Sequence, residues 1–101
     1  MERYDNNTIQ SQLEDLKDWH YIDNTIEKNY LFANFSQALG FMVQVGLLAE
    51  KANHHPEFFN VYNKLRIRLN THDAQNSVTD KDIDLAKNID KISFSYCATL
   101  I

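Results

Sequence analysis

The segment from residue 34 to residue 56 constrains the fold more than any other part of this 101-residue chain. Asn34 is a favourable helix N-cap, and Gln37 follows three residues later, as in a capping box. The stretch Phe35–Ala52 is apolar on almost every side. Pro56 cannot continue a helix, because its ring clashes with the preceding turn and it lacks an N–H. The sequence therefore predicts one long, capped helix.

This predicted helix has two apolar faces. One contains Phe35, Leu39, Met42 and Ala49, and the other contains Phe41, Val45, Leu48 and Ala52. A surface helix needs only one apolar stripe, and a small domain buries roughly 60–70% of its unfolded surface. We therefore expect a second subunit to cover one face. A helix at the centre of a monomer is the alternative.

Alternating residues predict antiparallel strands on both sides of the long helix. Two alternating runs flank Asp23-Asn24 and indicate a hairpin. From Phe59 to Thr71 the pattern is that of a half-buried strand, and residues 60–63 are a possible break into two strands. Its expected inward residues are Val61, Leu65, Ile67 and Leu69, and its charged, solvated residues are Lys64, Arg66 and Arg68.

Two shorter helices complete the predicted domain. Ile9, Leu13 and Leu16 fall at helical spacing between Thr8 and Lys17. A last helix begins at Thr79 as its cap, with Asp80 and Asp82 at its positive end and Val78 stapled onto Ile83. A small antiparallel sheet with helices packed on it is an α+β, two-layer domain.

Composition limits the functions that this chain can have. Its net charge is −4 and its pI is about 5.4, which argues against direct nucleic-acid binding. Cys97 is the only cysteine and is interpreted as a small apolar filler in a reducing compartment. Residues 1–10 lack the apolar core of a secretory signal, and no apolar run reaches the ~18 residues of a membrane span. We expect a single cytoplasmic domain over residues 1–101, without membrane contact.

Three of the four histidines lie in one short window. His54 and His55 precede Pro56 at the end of the predicted long helix, and His72 follows the predicted strand. Zinc binding is one hypothesis, but the window contains neither H-x-x-x-H nor H-x-H. Proton transfer is a second, because histidine titrates near neutrality. Exposed histidines favoured by the helix dipole are the third.

The order and spacing of these residues resemble the signature of the pterin-4a-carbinolamine dehydratase family. The matching residues are Glu50, His54, His55, Pro56, Tyr62, His72 and an acidic residue at Asp80 or Asp82. The similarity extends over residues 35–73, and also to Trp19, "YLFANF" and "LAKNID". It covers the chain from about Leu16 to Ile92.

The resemblance implies a four-stranded antiparallel sheet with helices packed on one face, in the order N-terminal helix, then β-β-α-β-β-α. It also implies dehydration of 4a-hydroxytetrahydropterin to quinonoid dihydropterin, which recycles the pterin cofactor of aromatic amino-acid hydroxylases. The pterin is the substrate, and the family needs no metal and no bound cofactor. Family members form homodimers through sheet edges, or homotetramers through the long helix.

By this resemblance, His54, His55 and His72 carry the acid–base work, and the assignment of acid and base stays open. Substrate contacts are expected from Glu50, Asn53, Pro56, Asn70 and Thr71, with Glu50 supporting or orienting the site. Asn53 departs from the aspartate that is common in the family. An interaction module is the alternative function, with Phe41, Val45 and Leu48 as a surface for a transcription-factor partner.

Overall fold

A computed structural model describes residues 5–74, 77–93 and 99–100 of the chain. Its helices are α1 (Asn6–Leu13), α2 (Phe35–Ala52) and α3 (Asp80–Ser93), and a 3-10 turn covers His72–Ala74. Its strands are β1 (His20–Ile22), β2 (Thr25–Leu31), β3 (Glu57–Val61), β4 (Lys64–Leu69) and β5 (Thr99–Leu100). Cys97 lies outside the described residues. Among those described, no helix is long and apolar enough to cross a membrane.

The antiparallel sheet has the strand order β1-β2-β4-β3, and the short β5 pairs with the far end of β2. The core forms where the sheet's inner face meets the helices. It is built from Ile26, Tyr30, Leu65, Ile67 and Leu69 on the strands and from Phe41, Val45, Ile83, Ala86 and Ile89 on the helices. The α+β class with helices on one face is thus confirmed, and β5 is an addition to the predicted four strands.

Tight turns at left-handed residues join the strands of each hairpin. Asp23 and Asn24 both have positive φ, 52° and 62°, which suits the right-handed twist of the two flanking strands. The predicted long strand is two strands, because the chain reverses at Tyr62, whose φ is 52°. This reversal pairs Val61 with Lys64, so Val61 lies on the outer face and is 56% exposed. The prediction that Val61 points inward is therefore wrong.

The long helix has the predicted bounds but only one buried face. Asn34 caps it, since its side-chain oxygen accepts a hydrogen bond from the Gln37 N–H at 2.9 Å. Its buried residues are Ala38, Phe41, Val45 and Ala49. Its large exposed residues are Phe35, Leu39, Val43 and Leu47, a set that we call the α2 stripe. The helix therefore does have a second apolar face that the monomer leaves exposed, but the predicted membership of the two faces is partly wrong. Phe41 and Val45 belong to the core, and Ala52 is exposed.

The first helix begins and ends earlier than predicted. Asp5 caps it by accepting a hydrogen bond from the Thr8 N–H at 2.8 Å, and this bond lowers the pKa of the Asp5 carboxyl. The helix ends at Leu13, although Leu16 beyond it is still buried. The apolar spacing extends past the helix because the following turn also packs on the core.

Asp90 fastens α3 to the sheet. Its carboxylate accepts hydrogen bonds from Trp19 Nε1 at 3.1 Å, Lys28 Nζ at 2.9 Å and the Tyr30 hydroxyl at 3.0 Å. Lys28 is only 4% exposed, so its charge depends on this partner. Burial, with the nearby Asp90 charge, raises the pKa of the Tyr30 phenol, which therefore stays protonated as a donor.

Asp90→Ala should lower the free energy of unfolding by about 3 kcal/mol, because it leaves the Lys28 ammonium buried without a counter-charge. Asp84→Ala, at an exposed position of the same helix, is the matched control and should change stability by less than about 0.5 kcal/mol. Urea denaturation followed by circular dichroism measures both. Equal losses in the two variants would show that Asp90 has no special role.

Candidate active site

Two adjacent histidines follow the left-handed residue that ends α2, and they differ in burial. Asn53 ends α2 with φ 52° and ψ 43°, a conformation that asparagine tolerates better than most residues. The His54 N–H then bonds back to the Ala49 carbonyl at 3.0 Å. His54 is buried with 8% exposure, whereas the His55 side chain is 62% exposed.

His54 pairs with a carboxylate in the interior. Its Nε2 lies 2.5 Å from Oδ1 of Asp82, which has no solvent exposure. The second carboxylate oxygen of Asp82 accepts hydrogen bonds from the Thr71 hydroxyl and from the Thr79 N–H, each at 2.9 Å. A buried charge requires such partners. Asp82 therefore links the end of α2, the segment that follows β4 and the first turn of α3.

His55 has a different partner and a different environment. Its Nε2 lies 2.9 Å from Oε1 of Glu50, one turn back on α2, and the Glu50 side chain is 76% exposed. An ion pair in solvent contributes little to stability, typically ~0–1 kcal/mol. Glu50 is therefore placed to orient the His55 ring rather than to hold the fold together.

The segment that carries His72 reaches the same end of the molecule. Thr71 shares the Asp82 carboxylate with His54, and His72 is the next residue, at the start of the 3-10 turn. The His72 side chain is exposed. The β4 strand thus runs back toward the C-terminal end of α2, and the backbone of His72 lies beside the His54 site.

The five predicted substrate-contact residues occupy this neighbourhood in different ways. Asn53 and Glu50 are exposed, and Pro56 and Asn70 are half-buried. Thr71 is 3% exposed, and its hydroxyl contacts Asp82 and the Thr79 hydroxyl. The Thr71 N–H donates to the Ser77 carbonyl at 2.8 Å, and the Thr71 carbonyl accepts from the Ala74 N–H at 3.1 Å, so the backbone of this residue is also bonded within the protein. Ligand binding by these residues stays a prediction.

Asp82 and Thr79 are absent from the predicted site residues. The sequence interpretation gave Asp82 a role at the helix dipole and a place in the family signature, and it gave Thr79 a role as a cap. Both take part in the cap of α3: Asp82 accepts from the Thr79 N–H, and the Thr79 hydroxyl accepts from the Lys81 N–H at 3.3 Å. The signal was Thr79-x-x-Asp82, a capping-box pattern whose acidic residue can also serve a site.

Metal binding finds no geometric support in the described ranges. Among residues 5–74, 77–93 and 99–100, no group of three histidine, cysteine, aspartate or glutamate side chains is arranged to hold a metal ion. His54 and His55 diverge, and each is paired with its own carboxylate.

Comparison with known proteins defines the class to which this fold and site belong. The family model for pterin 4 alpha carbinolamine dehydratase matches residues 2–92. A protein of Rhizobium johnstonii, provisionally named pterin-4-alpha-carbinolamine dehydratase, is 47% identical over 93 residues, which cover 90% of this chain and 91% of that protein. A relative from Opitutus terrae with the same provisional name is 46% identical over 85% of this chain and 89% of its own.

A solved structure agrees with the sequence comparisons. The crystal structure of a transcriptional coactivator/pterin dehydratase from Brucella melitensis superposes with a TM-score of 0.85 at 39% identity. The match covers 90% of this chain and 98% of that one. The chain belongs to the pterin-4a-carbinolamine dehydratase family, as its histidine signature predicted.

The two adjacent histidines should differ sharply in their contribution to stability. His54→Ala leaves the buried Asp82 carboxylate without its imidazole partner and should cost about 2–3 kcal/mol of unfolding free energy. His55→Ala removes an exposed contact and should cost less than about 0.5 kcal/mol. Urea denaturation of both variants measures the difference. Similar losses would contradict the assignment of His54 to the interior.

Proposed function

We propose that this chain dehydrates 4a-hydroxytetrahydropterin, a pterin-4a-carbinolamine, to quinonoid dihydropterin and water. The observation that carries the proposal is the pairing of His54 with the buried Asp82. The same carboxylate accepts a hydrogen bond from Thr71, the residue before His72. Family membership supplies the substrate class. The pairing fixes the His54 imidazole, and the exposed His55 and His72 are adjacent in sequence to His54 and to Thr71.

The reaction needs a proton donor and a proton acceptor on one substrate. The C4a–O bond breaks more easily when an acid protonates the hydroxyl, so that water is the leaving group. A base removes the N5 proton, and the N5–H electron pair forms the N5=C4a double bond. His54, His55 and His72 are the proposed groups, because imidazole can serve in either role near neutral pH.

The distinct environments of the histidines favour a division of roles. An active site works best when two titratable groups have different surroundings. His54 is buried against a carboxylate that has no exposure, whereas His55 is in solvent beside the exposed Glu50. We propose that Glu50 orients His55 and that Asn53, Pro56, Asn70 and Thr71 contact the pterin.

The proposed reaction serves a second enzyme. Its product is the oxidised form of a pterin that an aromatic amino-acid hydroxylase consumes in reduced form, so this chain would recycle that hydroxylase's cofactor. The proposed reaction uses no metal and no cofactor of its own. We place it in the cytoplasm, a reducing compartment consistent with a single cysteine.

Wild-type protein should accelerate loss of freshly generated 4a-hydroxytetrahydropterin, followed by absorbance. His54→Gln, whose amide can still donate to Asp82 but cannot exchange a proton, should reduce the rate about 10²–10⁴-fold, the range for loss of general acid–base catalysis. His20→Gln is the control, because His20 lies in solvent on β1, outside the histidine window. No acceleration by folded wild type would refute the proposed function, and equal rates for the two variants would refute the role of His54 in it.

We also propose that copies of this chain associate through the α2 stripe. Phe35, Leu39, Val43 and Leu47 recur every four residues and are 44–61% exposed. Such a stripe is self-complementary about a two-fold axis, as in most homo-oligomers. The outer edge of β3, where Phe59 and Val61 are exposed, offers a second surface for a sheet-edge dimer.

The residues predicted to form a surface for a transcription-factor partner are not exposed. Phe41 and Val45 have no exposure, and Leu48 is half-buried. The phrase "transcriptional coactivator" describes the Brucella protein, and no contact among residues 5–74, 77–93 and 99–100 favours that role.

Val43→Glu should dissociate the oligomer, because it places a charge in the centre of the α2 stripe. Asn88→Glu makes the same change in charge at an exposed position of α3 and should leave the assembly intact. Sedimentation velocity measures both. A monomeric wild type, or a Val43→Glu protein of unchanged mass, would overturn assembly through this helix.

A further inference from the structure

The Asp82 site continues inward through two threonine hydroxyls. The Thr71 and Thr79 hydroxyl oxygens lie 2.6 Å apart, and Thr71 lies 2.9 Å from Oδ2 of Asp82. Thr71 is 3% exposed and Thr79 is 0% exposed, so solvent does not compete for these bonds. A role in capping α3 accounts for the Thr79 hydroxyl but not for the Thr71 hydroxyl. It does not explain why a second hydroxyl joins the cap to the carboxylate that holds His54.

The direction of every hydrogen bond in this cluster follows from counting protons. As a carboxylate, Asp82 only accepts. Thr71 has one hydroxyl proton, so it donates that proton to Asp82 and must accept from Thr79. Thr79 donates its own proton to Thr71 and accepts from the Lys81 N–H. The single proton of each hydroxyl is then donated, which leaves one orientation for each.

The same count of donors and acceptors determines which nitrogen of the His54 ring carries the hydrogen. Oδ2 of Asp82 is occupied by Thr71 and the Thr79 N–H, which leaves Oδ1 for His54. Since Oδ1 accepts, His54 Nε2 carries the hydrogen. In the neutral ring, Nδ1 is then the nitrogen with a free lone pair, and a neutral imidazole in this form is a proton acceptor.

We infer that Thr71 and Thr79 are positioning residues, whose hydroxyl pair fixes the Asp82 carboxylate and thereby holds His54 in the Nε2–H tautomer. This inference rests on the proposed function and deepens it by assigning a role. His54 Nδ1 takes the N5 proton of the pterin, and the resulting imidazolium is stabilised by Asp82. The N5–H electron pair forms the N5=C4a bond as the C4a hydroxyl leaves, protonated by another acid, as water.

The test compares a variant that loses the Thr71 hydroxyl with a variant that retains a hydroxyl at this position. Thr71→Val removes the hydroxyl at nearly constant volume, and Thr71→Ser keeps it. Thr25→Val is the matched control, since Thr25 is also buried and its hydroxyl donates to the Ile22 carbonyl at 2.7 Å, in the β1–β2 hairpin. Nitrogen-15 correlation spectra of the imidazole rings report the His54 tautomer without substrate. Dehydration kinetics report kcat and KM.

In wild type, the neutral His54 ring should be the Nε2–H form, and Thr71→Val should lower the population of that form. Thr71→Val should also reduce kcat about 10–100-fold, the range for a misplaced catalytic group, with KM within about twofold. Thr71→Ser should restore both properties, and Thr25→Val should change neither.

A neutral Nδ1–H tautomer in wild type would overturn the inference, as would equal effects of Thr71→Val and Thr71→Ser. If Thr71→Val fails to fold, Thr71→Cys, whose thiol is a weak donor, replaces it in the same comparison. Failure of the proposed function is distinguishable from failure of this inference. A wild type without dehydratase activity refutes the former, whereas the spectra test the hydroxyl pair in the absence of any substrate.

Discussion

The buried carboxylate of Asp82 is the interaction on which the arrangement of the site depends. It has no solvent exposure, so every one of its hydrogen bonds must come from the protein. Those bonds come from the end of α2, from Thr71 after β4 and from the start of α3. Three segments that are distant in sequence therefore meet at one side chain. The same bonds that cap α3 and close the core also orient the imidazole proposed for catalysis.

Much of the fold was predictable because local rules coincide with the tertiary structure. The long helix has the predicted bounds, since Asn34 and Gln37 cap one end and Asn53 with Pro56 ends the other. The alternation in β4 also predicted its buried face correctly. Val61 was misplaced because a periodicity of two carries no information about a reversal of the chain. Only the turn at Tyr62 decides which face it joins.

The sequence singles out the three histidines of the proposed site, but not the residues that support them. His54, His55 and His72 stand out in the sequence and match a family signature. Which of the two adjacent histidines is buried could not be read from the sequence, because it depends on the contact of His54 with Asp82, a residue distant in sequence. Asp82 was assigned to a helix end, which is correct but incomplete. A capping residue gains a second role only when another segment packs against it, and sequence spacing does not record that packing.

Asp82 and Asp90 occupy the same helix, one in its first turn and one about two turns later. Each holds α3 to a different part of the molecule, Asp82 to the ends of α2 and β4 and Asp90 to Trp19 and β2. Consequently, the part of α3 between these two residues cannot slide or detach without breaking the contacts of one of these carboxylates. The amide protons between these two residues should exchange with solvent only when one of these sets of bonds breaks, and detachment at the Asp82 end would release the His54 ring.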